Sequence, residues 1–217
     1  MEASTSETRT GGVASRLSAL LTVRRLAVWG TGLLVLSWSL YIYMMASPGL
    51  VDRAGRFKGT DYIYFYVMGS LVLEGRTGAL YDAEAHLAEG RRRIQPELGL
   101  YAAHSNYGPQ VALLFAPLAR LPFGWSLAAF LALSAVCYGL SVWLVARDCA
   151  VLRAHGWLVA LLATASPLVL GLIRYAQLSA FALLFWSLAL VALRRDRGFT
   201  AGLAVGCLAF KPQMGLV

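Results

Sequence analysis

Charge is scarce in this chain. Only 14% of its 217 residues are Asp, Glu, Lys or Arg, where a soluble domain carries about 25%, and 59% are hydrophobic. That balance excludes a soluble globular class and implies an integral membrane protein. Cysteine is equally rare. Cys137, Cys149 and Cys207 are odd in number and two of them lie inside apolar runs, so they supply neither a disulfide framework nor a metal set. His86, His104 and His155 are scattered without ligand spacing, and no metal or cofactor is implied. No internal repeat is present. The one surplus is positive charge, a formal net of +8. The arginines stand beside long apolar runs, where they hold cytoplasmic helix ends in place, so a nucleic-acid partner is discounted.

The chain reads as an all-α, polytopic membrane protein. Residues 1–25 form a disordered cytoplasmic tail rich in Ser, Thr and Gly that ends in Arg24-Arg25. Residues 26–46 are long enough to span and show no clear small-residue cleavage site, which argues for an uncleaved first span over a signal peptide. Residues 47–123 form an external loop. Between 48 and 106 it carries seven basic and seven acidic side chains, a balance suited to the side opposite the positive tail. Within the loop the apolar stretches 61–74 and 109–121 are each about 20 Å long at about 1.5 Å per residue, too short to cross a core of about 30 Å. Both are therefore interfacial helices, the second opened by Pro109.

The amphipathic stretch 83–94 ends in Arg91-Arg92-Arg93, read as a solvated helix end with contact to anionic headgroups as the alternative. Four further spans follow, at 124–146, 157–173, 177–193 and 199–217, giving about five in all. The arginines decide this count. With 109–121 lying in the interface, Arg147, Arg153, Arg194, Arg195 and Arg197 all face the cytoplasm and only Arg174 faces out. Had 109–121 crossed, both clusters would be outside.

That layout gathers a small set of polar residues on the outer face. Asp61 stands at the entrance to an aromatic run, Gly59-Thr60-Asp61-Tyr62-Ile63-Tyr64-Phe65-Tyr66. An acid in the first turn of a helix is favoured by the helix dipole, so a dipole role with Thr60 as cap is one reading and a catalytic carboxylate the other. Asp52 and Asp82 share the loop without that context, and little is expected of them. Lys211 lies about 12 residues, roughly 18 Å, into the last stretch, and Pro212 beside it frees backbone groups. An unpaired ammonium in lipid costs at least about 2.5 kcal/mol, which makes Lys211 a binding candidate, with snorkelling to the interface as the alternative. Arg174 is the other candidate cation. Gln177 and Tyr107 are candidate hydrogen-bonding groups for a polar ligand, unless backbone satisfies them.

In order, Gly59-x-Asp61-Tyr62-x-x-Phe65-Tyr66, Gly75 with Leu80-Tyr81, Tyr107-x-Pro109 with Pro117-Leu118-Ala119-x-Leu121-Pro122, Gln177 opening an apolar helix, and Ala209-x-Lys211-Pro212 resemble glycosyltransferase family 87. That resemblance runs from about Gly59 to the end. It implies a polyprenyl-phosphate-mannose-dependent mannosyltransferase of the C-type superfamily. The implied enzyme inverts at the anomeric carbon without a metal, sits in the plasma membrane with its N-terminus inside, and transfers a hexose to a lipid or glycan acceptor on the outer face. It also implies Asp61 as the base, with Tyr62 beside it in the substrate site. The family's usual Gly-Gln-x-Asn reads Ala176-Gln177-Leu178-Ser179 here, and members are longer chains, so an N-terminal fragment is expected. The chemistry suits one carboxylate, because a lipid-linked sugar phosphate already has a good leaving group and the acceptor hydroxyl needs only a base. A transporter, a non-catalytic membrane scaffold or an inactive truncated enzyme are the competing readings. A transporter is expected to place Asp61, Lys211 and Arg174 at the bilayer midplane, an enzyme in one outward-facing cavity.

Overall fold

The computed structural model describes residues 21–94 and 107–211, whose regular structure is helical, with one isolated antiparallel bridge between Val51 and Phe57. Most of the tail, His104 and the Pro212-Gln213 break lie outside the described residues. In chain order the helices are α1 (Val23–Met45), α2 (Thr60–Leu73), α3 (Ala83–Arg93), α4 (Pro109–Phe115), α5 (Phe123–Asp148), α6 (Ala150–Ala154), α7 (Gly156–Ala165), α8 (Pro167–Tyr175), α9 (Ser179–Leu193) and α10 (Gly198–Gly206). Short 3₁₀ turns follow α2, α4 and α10 at Thr77–Ala79, Leu118–Arg120 and Cys207–Phe210.

α1 begins where Thr22 Oγ1 accepts a hydrogen bond from the Arg25 amide, so Arg24 and Arg25 belong to its first turn rather than to the tail. Only Gly30 of this helix is buried, and Trp29, Leu36 and Ile42 stand exposed, as on a lipid-facing helix. Its packed line runs along α7. A side chain at position 30 would meet Leu162 Cδ2 at 2.9 Å, and Trp38 Nε1 donates to the Thr164 carbonyl at 2.9 Å.

α1 and α5 are long and apolar enough to cross a membrane. The stretch expected as one straight span at 157–173 is instead α7 and α8, bent by 53°. Pro167 removes an amide donor and holds Ser166 extended at φ −62°, ψ 124°, which ends one helix and starts the next. Counting that pair as one span gives three; α9 and α10 with its 3₁₀ turn are apolar but shorter, so length and composition alone do not reach five.

Helix directions follow from the ends. Arg194 Nη1 lies 3.2 Å from Asp148 Oδ2 and Arg195 Nη2 3.9 Å from Asp148 Oδ1, which ties the last turn of α5 to the end of α9. Toward the opposite end the start of α9 meets α5 where Phe181 stacks on Phe130, beside α2.

α2 is the centre of the packed cap at that end. Tyr62, Ile63 and every residue from Phe65 to Leu71 are buried. Phe65 stacks on Phe115 with ring centroids 4.9 Å apart, and Tyr62 packs on Phe130 at 4.8 Å. The close approach of α2 to α4 needs glycine, because a Cβ on Gly69 would lie 2.8 Å from the Phe115 backbone. Arg91 and Arg92 at the end of α3 are exposed, as expected of a solvated end, but the end is also ion-paired. Glu89 is only 1% exposed and accepts from Arg76, Arg92 and Arg93, while Glu74 pairs with the same three arginines. This network, with Arg93 Nη1 donating to the Ala119 carbonyl at 3.2 Å, fastens α3 to the turn after α4.

Candidate functional site

Helix α2 starts at Gly59, whose φ of +70° is open to glycine at little cost and sets the angle at which Asp61 enters the helix. Thr60 does not cap it, since Thr60 Oγ1 donates back to the Phe57 carbonyl at 2.7 Å. The Asp61 carboxylate instead lies within electrostatic reach of the Gln177 side chain and the Lys211 ammonium. Burial pushes the Asp61 carboxyl above its ordinary range, and the Gln177 side chain and the Lys211 charge only partly offset it.

Gln177 reaches Asp61 because α8 ends in a tight turn. Ala176 takes the left-handed conformation at φ 52°, fully buried, and the Gln177 amide returns to the Leu172 carbonyl at 3.2 Å. This is the position where the family pattern has Gly, and an alanine there costs roughly 1 kcal/mol. Ser179 Oγ donates to Gln177 Oε1 at 3.4 Å, which makes the amide nitrogen the donor end of Gln177 for a carboxylate or a ligand.

Lys211 joins the group from the far end of the sequence. The last 3₁₀ turn stops at Phe210, so Lys211 is not a helical residue inside a span but stands just past the helix end, half-buried, beside α4. Residues before proline avoid helical geometry, and Lys211 has φ −139°, ψ 82°. Its Nζ lies 6.0 Å from the centre of the Tyr107 ring, and Gln110 Nε2 holds the neighbouring Ala209 carbonyl at 3.1 Å. Among the described residues Lys211 forms no direct ion pair. Burial, and then the charge of Asp61, raise the Tyr107 hydroxyl above its ordinary pKa. Asp61, Gln177, Lys211 and Tyr107 thus form one cluster.

Two candidates sit differently. Tyr62 is fully buried, and its hydroxyl donates to Ser126 Oγ at 2.5 Å, since that Ser126 hydroxyl is itself given to the Leu118 carbonyl at 2.8 Å. Burial pushes its pKa up to about 12. It packs the wall behind Asp61. The Arg174 guanidinium is turned away from Asp61 and bound to Asp52, with Nε at 3.1 Å and Nη2 at 2.5 Å from Oδ2. Asp52 is therefore not the idle loop acid expected from sequence, and Asp82 caps α3 by accepting from the amides of Glu84 and Ala85.

A cavity of about 640 Å³ is lined by Gln177, Ser179, Tyr175 and Leu172, and of the site candidates Gln177 alone is in its wall. Tyr138 and Leu183 form part of its wall and also line a second, apolar cavity of about 390 Å³ that extends to Leu152 and Ala146. Ser166 and Pro167 at the bend line the larger of the two.

A family model described as glycosyltransferase family 87 matches residues 106–217. That stretch contains Tyr107, Arg174, Gln177 and Lys211, while Asp61 and Tyr62 precede it. No curated protein and no solved structure is matched.

Proposed function

Because this chain belongs to glycosyltransferase family 87, whose members are membrane glycosyltransferases, we propose that it moves a hexose, mannose by the family resemblance, from a polyprenyl-phosphate donor to a lipid or glycan acceptor. The observation that carries this reading is the grouping of Asp61 with Gln177 and Lys211, both of which act on its carboxylate. It joins a carboxylate outside the matched stretch to two polar residues inside it.

Asp61 is the general base. It takes the proton of the acceptor hydroxyl as that oxygen bonds to the anomeric carbon from the face opposite the phosphate. The bond from the anomeric carbon to the phosphate oxygen breaks, and the phosphate leaves with the electron pair and one more negative charge. Lys211 balances that charge in a site partly screened from water, and the reaction inverts the anomeric centre without requiring a metal. A carboxyl raised by burial is a better proton acceptor than an exposed one. The cavity beside Gln177 and the apolar one that shares Tyr138 and Leu183 with it offer the prenyl chain a path between α5, α7 and α9.

The membrane frame follows the same logic. α1, α5, the bent α7–α8 pair, α9 and α10 make five crossings of the plasma membrane, with the N-terminus inside and α2 and α4 as interfacial helices outside. The ion pairs of Asp148 with Arg194 and Arg195 support this frame, because they put the basic residues at the end opposite Asp61. A cluster at the end of the helices, rather than halfway along them, favours an enzyme over a transporter.

The test is Asp61→Asn in the full chain, assayed in membranes with radiolabelled polyprenyl-phosphate mannose. Release of polyprenyl phosphate should fall by roughly 10²–10⁴-fold at unchanged expression. A rate near wild type would overturn the assignment of the base.

A further inference from the structure

The loop between α1 and α2 is wound around one side chain. Asp52 is 4% exposed, and its Oδ1 accepts from the amides of Ala54 at 2.8 Å and Arg56 at 3.0 Å. Its Oδ2 accepts both guanidinium bonds from Arg174. Burial alone would raise this carboxyl; the hydrogen bonds from Arg56, Arg174 and Ala54 outweigh it and hold the carboxyl below its ordinary range. The loop closes on itself through Lys58, whose amide bonds the Leu50 carbonyl at 2.8 Å and whose ammonium bonds the carbonyls of Ser47 and Gly49.

Arg174 grips this loop once more, and its neighbour Tyr175 adds a further contact. The Arg174 carbonyl accepts from the Gly59 amide at 3.0 Å, at the first residue before α2. Next to it, Tyr175 Oη accepts from Arg56 Nη1 at 3.3 Å. The left-handed turn at Ala176 then passes directly into Gln177. The start of the helix that carries Asp61 and the turn that carries Gln177 are therefore fastened to the same pair, one from the loop and one from α8.

We infer that Asp52 and Arg174 are a positioning pair, which holds the turn at Ala176 and Gln177 against the start of α2 so that the Gln177 amide meets the Asp61 carboxylate. This rests on the reading of Asp61 as the base. It also assigns Arg174 a different task from holding phosphate, because two of its guanidinium nitrogens already bond one carboxylate oxygen of Asp52. Lys211 is left to meet the leaving group.

The groups facing Asp61 from the elements around it are Gln177, Lys211 and Tyr107. Of these, only Gln177 is held by the pair. Losing the pair should thus act on Asp61 in the same way as losing Gln177: the carboxyl rises further and the acid limb of the pH–rate profile moves to higher pH.

The experiment is a double-mutant cycle in the full chain, reading turnover of polyprenyl-phosphate mannose against pH. Arg174→Met and Gln177→Ala should each reduce kcat by about tenfold with little change in KM for the donor, and both should displace the acid limb upward. The double variant should be no worse than either single one. Arg174→Lys, which keeps one bond to Asp52, should retain most of the rate and guards against a simple loss of folding. Losses that multiply in the double variant, or an acid limb that stays in place, would overturn the inference, as would a rise in donor KM at unchanged kcat. Asp61→Asn reads the base separately. If it stays active, the base reading fails and this inference with it; if it is dead while the cycle is additive, only the positioning role fails.

Discussion

Ser179 Oγ donates to Gln177 Oε1 at 3.4 Å, and the Gln177 side chain in turn favours the ionised form of Asp61, so a residue just past one helix bears on an acid at the start of another. Burial and the Gln177 side chain act on Asp61 in opposite directions, and burial prevails. The net effect is a carboxyl that ionises later than an ordinary one, and Gln177 limits how late.

The pH–rate profile should carry that balance. Transfer requires ionised Asp61, so the rate should climb with pH through a value above the ordinary carboxylate range and then level off. In Gln177→Leu the climb should move to higher pH, since the amide that favours the ionised form is gone while Lys211 and Tyr107 remain. A charged hydrogen bond is worth about 1.5–3 kcal/mol, so the loss on the acid side should be about tenfold or more. It should shrink toward the plateau. An unmoved acid limb would separate Gln177 from the ionisation of the base.

Lys211 is tested by charge. Lys211→Met should lower donor turnover by about 10²-fold, the scale of one donor to a developing anion, and leave insertion intact. Lys211→Arg should keep part of the rate, because the guanidinium retains the charge in a different shape. Equal rates for Lys211→Met and wild type would mean that the ammonium only reaches for the interface.

The orientation is open to labelling. In a variant without native cysteines, single cysteines at positions 150 and 196 should resist a membrane-impermeant thiol reagent in intact cells, and one at position 84 should react. Ala150, Glu84 and Asp196 are all exposed, so accessibility is set by the membrane and not by packing. Efficient external labelling at position 196 would refute five crossings with the N-terminus inside.

Much of this arrangement was legible in the chain. The aromatic run after Asp61 announces a buried helix, and Pro109 announces the start of another. The grouping of arginines at positions 147, 194 and 195 agrees with their meeting at one end around Asp148. The bend at Ser166 was written in Ser166-Pro167, yet the stretch 157–173 reads as one span because apolar periodicity carries straight through a proline. The role of Asp52 was harder to see. Asp52 followed by Gly55 signals a turn, but its partner Arg174 is distant in sequence, and nothing local distinguishes a buried ion pair from two loop charges. The same holds for Tyr62, where the sequence shows an aromatic next to the acid and only packing shows that its hydroxyl is spent on Ser126.

Stability against pH distinguishes the two acids. For Asp61 the folded carboxyl lies above its ordinary value, so as pH rises between the two the folded chain keeps a proton that the unfolded chain has lost, and stability falls. For Asp52 the folded carboxyl lies below it, so its contribution is present above the ordinary value and is lost as pH drops through the folded one. Asp61→Asn never ionises and escapes the first penalty: in detergent at neutral pH its thermal midpoint should be equal to or above that of wild type, with the difference closing in acid. Asp52→Asn keeps the shape that receives the Ala54 and Arg56 amides but leaves Arg174 without its counter-charge. Its midpoint should drop at neutral pH, by an amount on the order of 2 kcal/mol, and approach wild type as the pH falls. Thermal unfolding of the three proteins across that range decides the matter. A stabilised Asp61→Asn that no longer transfers sugar would identify Asp61 as an acid kept at a cost to the fold, whereas a clear loss of stability at neutral pH would return it to a structural role at the start of α2.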